Sequence, residues 1–336
     1  VRQKLFAAVL VLIAWGTVGS AQSINGAGAT FPYPIYSKWF SEYNRLYPDV
    51  KINYQSIGSG GGIRQVSDGI VDFGATDSPM TDQQMASAKF KTLHIPTVLG
   101  AIVPVYNIPG IGTDLNFSGE VIADIYLSKI KKWNDPRIAK ENPGVNLPDQ
   151  PILAVYRSDG SGTTFIFTDF LSKVSPEWAT TVGRSSAIRW RAGLGQKGNE
   201  GVAGLVRQAP YSFGYVELVF AVRNRMTFGK VKNQAGNFVK ASIETVTAAA
   251  AANIGTMPSD FRVSITNAPG PNSYPISSFT WLLIPRVSRD ATKTRALNGF
   301  MSWMFERGES EAAAQSYAPL PKSLQDSVRK TLKQIQ

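Results

Sequence analysis

The sequence contains no cysteine and a single histidine, His94. Without cysteine there is no disulfide, no thiolate nucleophile and no cysteine-held metal site. One histidine leaves little for a Ser-His-Asp triad, and its apolar flanks, Leu93, Ile95 and Pro96, fit a structural role. A zinc site would need carboxylates almost alone, and no acidic pair has a clear catalytic placement. No metal and no other cofactor is therefore expected. There is no GxxxxGK[ST] phosphate loop and no GxSxG nucleophile elbow. Past the first residues, no apolar run approaches the roughly 18 residues of a membrane span. No run of Lys or Arg exceeds two residues.

The chain opens on a tripartite pattern. Arg2 and Lys4 precede an apolar stretch from Leu5 to Trp15, and Gly19-Ser20-Ala21 offers small residues for cleavage. Residues 1–21 read as a secretory signal peptide cut after Ala21. An exported chain without cysteine must rely on a large core, and it cannot carry a lipid-modified N-terminal Cys. Both points favour a freely diffusing periplasmic protein. Residues 22–336 are enough for two domains. The 35 Lys and Arg exceed the 24 Asp and Glu, for a formal charge of +11, of which the signal carries two. That balance attracts anions in general. The charges are interleaved, however, and lack the alternation with aromatics that suits a nucleic acid, so no nucleic-acid partner is expected.

Hydrophobic periodicity then alternates between strand and helix. Ile24-Asn25 is a short strand, and Ile35, Trp39, Phe40, Tyr43 and Leu46 fall on one helical face. Val50, Ile52 and Tyr54 alternate as a strand, Ile63 and Val66 belong to a helix, and Val71 to Ala75 is a buried strand. This βαβαβ order predicts an α/β fold with a doubly wound, mainly parallel sheet. Its three βα junctions are polar and mostly glycine-rich: Gly26 to Phe31, Ile57 to Gly62 and Ala75 to Pro79. In such sheets ligands bind beyond the carboxyl ends of the strands, where these loops gather. The long apolar stretch His94 to Ile108 could cross into a second domain. Within that domain a helix is expected near Val121 to Ile130 and an Ala-rich one over Ile243 to Ala252. Ala268 to Ser273 has linker-like composition, and the apolar strand Ile276 to Ile284 and the helices after it are expected to return to the first domain.

A fourth loop stands out, Arg157-Ser158-Asp159-Gly160-Ser161-Gly162-Thr163-Thr164, between the apolar runs Ile152 to Tyr156 and Phe165 to Leu171. It reads as strand, glycine-rich turn and first helical turn. Helix N-termini favour anions, and an Arg fork matches a tetrahedral oxyanion. A βα turn capped by Asp or Ser would use the same residues. Gly193-Leu194-Gly195-Gln196-Lys197-Gly198 matches the dinucleotide fingerprint in letters. Trp190-Arg191-Ala192 before it is no clear buried strand, and no helix core follows at once, so no nucleotide site is expected there.

With these loops in view, nearly all of the chain after the signal resembles the periplasmic phosphate-binding proteins of Pst-type ABC transporters. The resemblance rests on Asn25-Gly26-Ala27-Gly28-Ala29-Thr30-Phe31-Pro32, Ile57-Gly58-Ser59-Gly60-Gly61-Gly62, Val71-Asp72-Phe73-Gly74-Ala75-Thr76-Asp77 and Ile130-Lys131-Lys132-Trp133. It continues through Arg157 to Thr163, Gly195-Gln196-Lys197-Gly198-Asn199, Gly214-Tyr215-Val216-Glu217 and Tyr274-Pro275-Ile276. The family implies a two-lobed, type II-like periplasmic binding protein with one phosphate buried between hinged lobes. Lobe I is expected to hold residues 22–98 and 273–336, and lobe II residues 99–272. The implied partners are inorganic phosphate and the transporter's membrane permease, with the chain itself a monomer and not an enzyme.

The family's phosphate contacts carry over to Thr30, the Phe31 backbone N–H, Ser59 and Asp77 from lobe I. From lobe II they carry over to Arg157, Ser161, Gly162 and Thr163, with Asp159 orienting Arg157. Thr76 is a mild departure, since some relatives have Ser there. Most of these groups donate, and an ionised Asp77 can only accept. Phosphate near neutral pH always keeps a proton to give it, and sulfate does not. A turn-forming Asx before Pro79 is the plainer role for Asp77. Two other functions remain open: a binding protein for another oxyanion such as sulfate or molybdate, and a phosphatase with Ser161 or Thr30 as nucleophile in the same pocket.

Overall fold

The computed structural model describes residues 22–287 and 290–335. The signal peptide expected at 1–21 lies outside the described residues. Strand β1 (Gln22–Gly28) runs into helix α1 (Tyr33–Leu46), β2 (Val50–Ser56), α2 (Ser59–Ser67) and β3 (Phe73–Thr76). In α1, Ile35, Tyr36, Trp39, Phe40 and Tyr43 recur at helical spacing and are buried. Leu46, expected on that face, is instead exposed. It closes the last turn, and Pro48, with no N–H to give, lies just beyond it. Both β2 and β3 pair with β1 in parallel, so Ala29, Ile57 and Asp77 all follow strand ends at the same edge.

The crossing segment is one long strand, β4 (Thr92–Asn107). All but two of its residues are buried, which explains its near-continuous apolar run. Beyond it come β5 (Leu153–Arg157), α3 (Gly162–Val174), β6 (Leu194–Gln196), α4 (Gly198–Gln208) and β7 (Ser212–Glu217). Strand β8 (Ser277–Pro285) then brings the chain back, followed by α5 (Ala291–Glu306) and α6 (Lys322–Leu332). The main sheet has the order β2-β1-β3-β8-β4-β7-β5-β6. Strand β8 is antiparallel to β3 and to β4 over Thr92–Ala101, whereas β7 takes over along β4 from Ile102. The switch of partners divides the sheet into two halves sharing β4. A bulge separates Thr280 from Trp281 near Pro96, which has no N–H to offer the ladder.

The C-terminal elements complete the first half. Phe300 of α5 meets Phe40 at 5.2 Å and Tyr43 at 5.4 Å. In the second half, Tyr215 stacks on Phe167 at 4.1 Å and packs against Trp190 and Tyr126. The expected helix Val121 to Ile130 is shorter, Gly119–Tyr126, because Ser128 turns left-handed with φ 61°. The linker-like Ala268 to Ser273 is anchored, since Asn233 Nδ2 donates to the carbonyls of Gly270, Pro271 and Ser273. Among the described residues, no helix is long and apolar enough to cross a membrane.

The fingerprint-like stretch corrects an expectation. Leu194–Gln196 does form a strand, parallel to β5, and α4 begins at once at Gly198. The strand is only three residues long and partly exposed, so it leaves no apolar run in the sequence. It delivers the start of α4 to the same edge as the Arg157 loop.

Candidate functional site

Five loops converge where the two halves of the sheet face each other. From the first half comes Ala29-Thr30-Phe31, held by two tyrosines: Tyr54 donates to the Ala29 carbonyl at 2.7 Å and Tyr317 to the Phe31 carbonyl at 2.6 Å. The Phe31 ring is fully buried and lies against Gly100, so only its backbone faces the loop cluster. Helix α1 has no side-chain cap at its N-terminus. Gly58, at φ 88°, makes the left-handed turn that starts α2 at Ser59. The Asp77 N–H donates to Ser59 Oγ at 3.1 Å, and that hydroxyl lies 3.4 Å from Asp77 Oδ2.

Asp77 is 1% exposed, and its Oδ1 accepts from Thr280 at 2.8 Å. Burial pushes its carboxyl up to about 7, against the opposing pull of the Thr280 hydrogen bond, the Arg157 charge and Ser59. The turn before Pro79 does not use Asp77. Thr76 makes it instead, donating to the Ser78 carbonyl at 2.6 Å and accepting from the Ser78 N–H at 3.0 Å. The Asp77 carboxyl is thus left to face the second half. His94 is structural, as expected: its Nε2 accepts from the Met80 N–H, and burial drives its pKa down to about 3.

From the second half comes Arg157, at the end of β5. Its Nε and Nη2 form a fork on Asp159 at 2.8 and 2.6 Å, and its buried Nη1 has no partner among the described residues. Burial works to raise the Asp159 carboxyl. The Arg157 contacts and the Gly198 N–H together outweigh it and hold the group below the usual carboxylate range. Ser161 caps α3, accepting from the Thr164 N–H at 3.0 Å. Gly162 and Thr163 open the helix and are buried.

The two halves touch through the site itself. The Gly60 N–H donates to the Gly160 carbonyl at 2.9 Å. A Cβ on Gly162 would lie 2.4 Å from Ser59 Oγ and 2.5 Å from Asp77 Oδ2. Thr30, Ser59, Asp77, Arg157, Ser161 and Thr163 are each at most 3% exposed. Every residue expected at the site is therefore brought to one buried, donor-rich cleft, with the Asp77 carboxyl facing the Gly162 turn.

A family model described as a PBP superfamily domain matches residues 16–307. The phosphate-binding protein PstS of Pasteurella multocida is 46% identical over 321 residues, covering 94% of this chain and 92% of that protein. The chain belongs to the PstS family of phosphate-binding proteins. The Haemophilus influenzae PstS is 44% identical over 317 residues and is covered to 94%, as is this chain. The crystal structure of the phosphate-binding protein from Stenotrophomonas maltophilia has the same fold at 18% identity, with a TM-score of 0.70 over 92% of this chain and 94% of that one. The fold is that of a two-lobed periplasmic binding protein.

In this PstS-family chain, three residues at the cleft carry no local sign of their place. Thr280 reaches Asp77 from β8. The Tyr215 hydroxyl accepts from the Arg157 N–H at 3.3 Å and pairs with Thr164 Oγ1 at 2.7 Å. Asn199, the second residue of α4, contacts Thr30 and Thr163. Asn199 and Tyr215 fall within stretches that mark the family resemblance, which was the one available signal. Thr280 sits in an apolar strand with none.

Proposed function

We propose that this chain is a binding protein, without catalytic activity, that captures inorganic phosphate in the periplasm with high affinity and delivers it to the permease of an ABC transporter. The reading rests on one observation above all: the buried Asp77 carboxyl set against the Gly162 turn amid donors. In this reading the Arg157 Nη1, the Phe31 and Gly162 N–H groups and the hydroxyls of Thr30, Ser59, Ser161 and Thr163 donate to phosphate oxygens. Asp77 accepts the proton that phosphate retains, and Asp159 keeps the Arg157 fork in plane. Sulfate, fully ionised, would leave Asp77 unpaired and repelled, and an unmatched buried polar group rejects an analogue by about 10⁴–10⁵-fold. Such a site also disfavours a dedicated sulfate or molybdate carrier. A phosphatase would need a base beside its nucleophile. The contact on Ser161 Oγ is a helix-capping N–H, and those on Thr30 Oγ1 come from Asn199.

The working boundaries are residues 22–98 and 273–336 for lobe I and 99–272 for lobe II, with β4 as the principal crossing. The segment at the end of lobe II leans back on lobe I: the Phe261 carbonyl accepts from Trp281 Nε1, and Arg262 donates to the Met80 carbonyl. A leader at 1–21, removed on export, belongs to the same proposal. Calorimetric titration of the purified protein is the test. Phosphate should bind one to one, and arsenate, tetrahedral and protonated alike, should compete for the same site. Absence of phosphate binding, or arsenate that fails to compete, would overturn the reading.

A further inference from the structure

Asn199 is buried to 0% exposure and touches both sides of the cleft. Its Nδ2 donates to Thr30 Oγ1 at 2.8 Å and to Thr163 Oγ1 at 3.1 Å, and its backbone N–H reaches Thr30 Oγ1 at 3.3 Å. Its Oδ1 accepts from the Glu217 N–H at 3.0 Å. That last bond fixes the amide's orientation, because a backbone N–H can only donate and must face the oxygen. The NH₂ end therefore faces the two hydroxyls.

A hydroxyl has one proton and two lone pairs. A hydroxyl that accepts from Asn199 cannot point its own proton back at Asn199. We propose that Asn199 is a positioning residue that commits the hydroxyls of Thr30 and Thr163 to donate into the anion site, and that it latches the two lobes together in doing so. Thr30 belongs to the first lobe, and Asn199 and Thr163 to the second. The Thr30 hydroxyl consequently acquires its polarity only when the lobes are shut. Closure then converts an adaptable hydroxyl into a fixed donor and leaves Asp77 as the acceptor. The inference rests on the phosphate reading above and adds a residue outside the contacts proposed there.

The experiment compares the parent with Asn199→Asp, Asn199→Ala, Thr163→Val and the double variant Asn199→Asp/Thr163→Val, by phosphate titration and stopped-flow release. Asn199→Asp keeps the size and the acceptor for the Glu217 N–H, and a cooperative phosphate-free thermal transition, at a midpoint lowered by the buried charge, will show that it still folds. It draws the two hydroxyl protons away from the site, and phosphate affinity should fall by about 100-fold or more. Asn199→Ala adds no charge and should speed phosphate release by roughly tenfold or more. Because Asn199 acts through Thr163, the Asn199→Asp loss should shrink when Thr163 is already Val. Affinity within about twofold of the parent for Asn199→Asp, or an undiminished loss in the Thr163→Val background, would overturn the inference. A parent that binds phosphate while the variants behave as it does removes this inference alone. A parent that fails to bind phosphate removes the reading beneath it as well.

Discussion

In the proposed reading discrimination turns on Asp77, because a carboxyl changes from acceptor to donor when it takes up a proton. Burial raises its pKa to about 7, so in the phosphate-free protein the neutral form gains ground at and below neutral pH. The sign is that of a raised acid: the folded state holds the proton more tightly than the unfolded chain, whose Asp titrates at about 3.9. A protonated Asp77 can donate to a fully ionised oxygen, so sulfate loses its handicap. Sulfate affinity of the parent should rise as pH falls from about 8 to about 5.5, spanning the shifted pKa. In Asp77→Asn, whose amide donates at every pH, sulfate affinity should be flat over the same range. Calorimetric sulfate titrations at the two pH values check this, and a pH-independent parent would contradict the assignment. Asp77 was identifiable in the sequence only through the family resemblance. Its own neighbours, Thr76 and Pro79, suggest an ordinary turn, and the Thr76 hydroxyl is what makes that turn.

The elements that build the site repeat one device, a parallel strand ending in a polar turn that starts a helix. Three of these units were legible from periodicity and glycine placement, since β1, β2 and β5 each end close to where an apolar run gives way to Gly, Ser and Thr. The β6–α4 unit was not, because Leu194–Gln196 is too short and exposed to leave a hydrophobic pattern. At the start of α3 the device is pushed to contact distance, and Gly162 is the residue that permits it. Gly162→Ala should fold, since Ala favours a helix over Gly by up to about 1 kcal/mol. Its Cβ would nevertheless fall on Ser59 Oγ and Asp77 Oδ2, so the lobes cannot shut as far. Phosphate affinity should fall by about tenfold or more, with a thermal midpoint near the parent's and less compaction in small-angle scattering on adding phosphate. Parent-like affinity would show that this approach is not needed for binding.

On the scale of the whole molecule, the discontinuous course of the chain is what makes a clamp. The apolar stretch His94 to Ile108 announced a crossing, and β4 makes it as one strand shared by both halves of the sheet. The return through β8 was legible as an apolar strand, but its consequence was not. Thr280 lies 203 residues from Asp77, and Asn199 lies 169 residues from Thr30. Local patterns of hydrophobicity and turn chemistry cannot encode such pairings, which arise only once the sheet is assembled. In the proposed reading the donors in the cleft would suit any tetrahedral oxyanion, and the lobes bring them against the Asp77 carboxyl. The most direct test is a competition titration of phosphate against sulfate at about pH 8, run on the parent and on Asp77→Asn. The expected result is strong rejection of sulfate by the parent and a collapse of that preference, by about 100-fold or more, in the variant. An Asp77→Asn protein that rejects sulfate as fully as the parent would contradict the assignment of selectivity to Asp77.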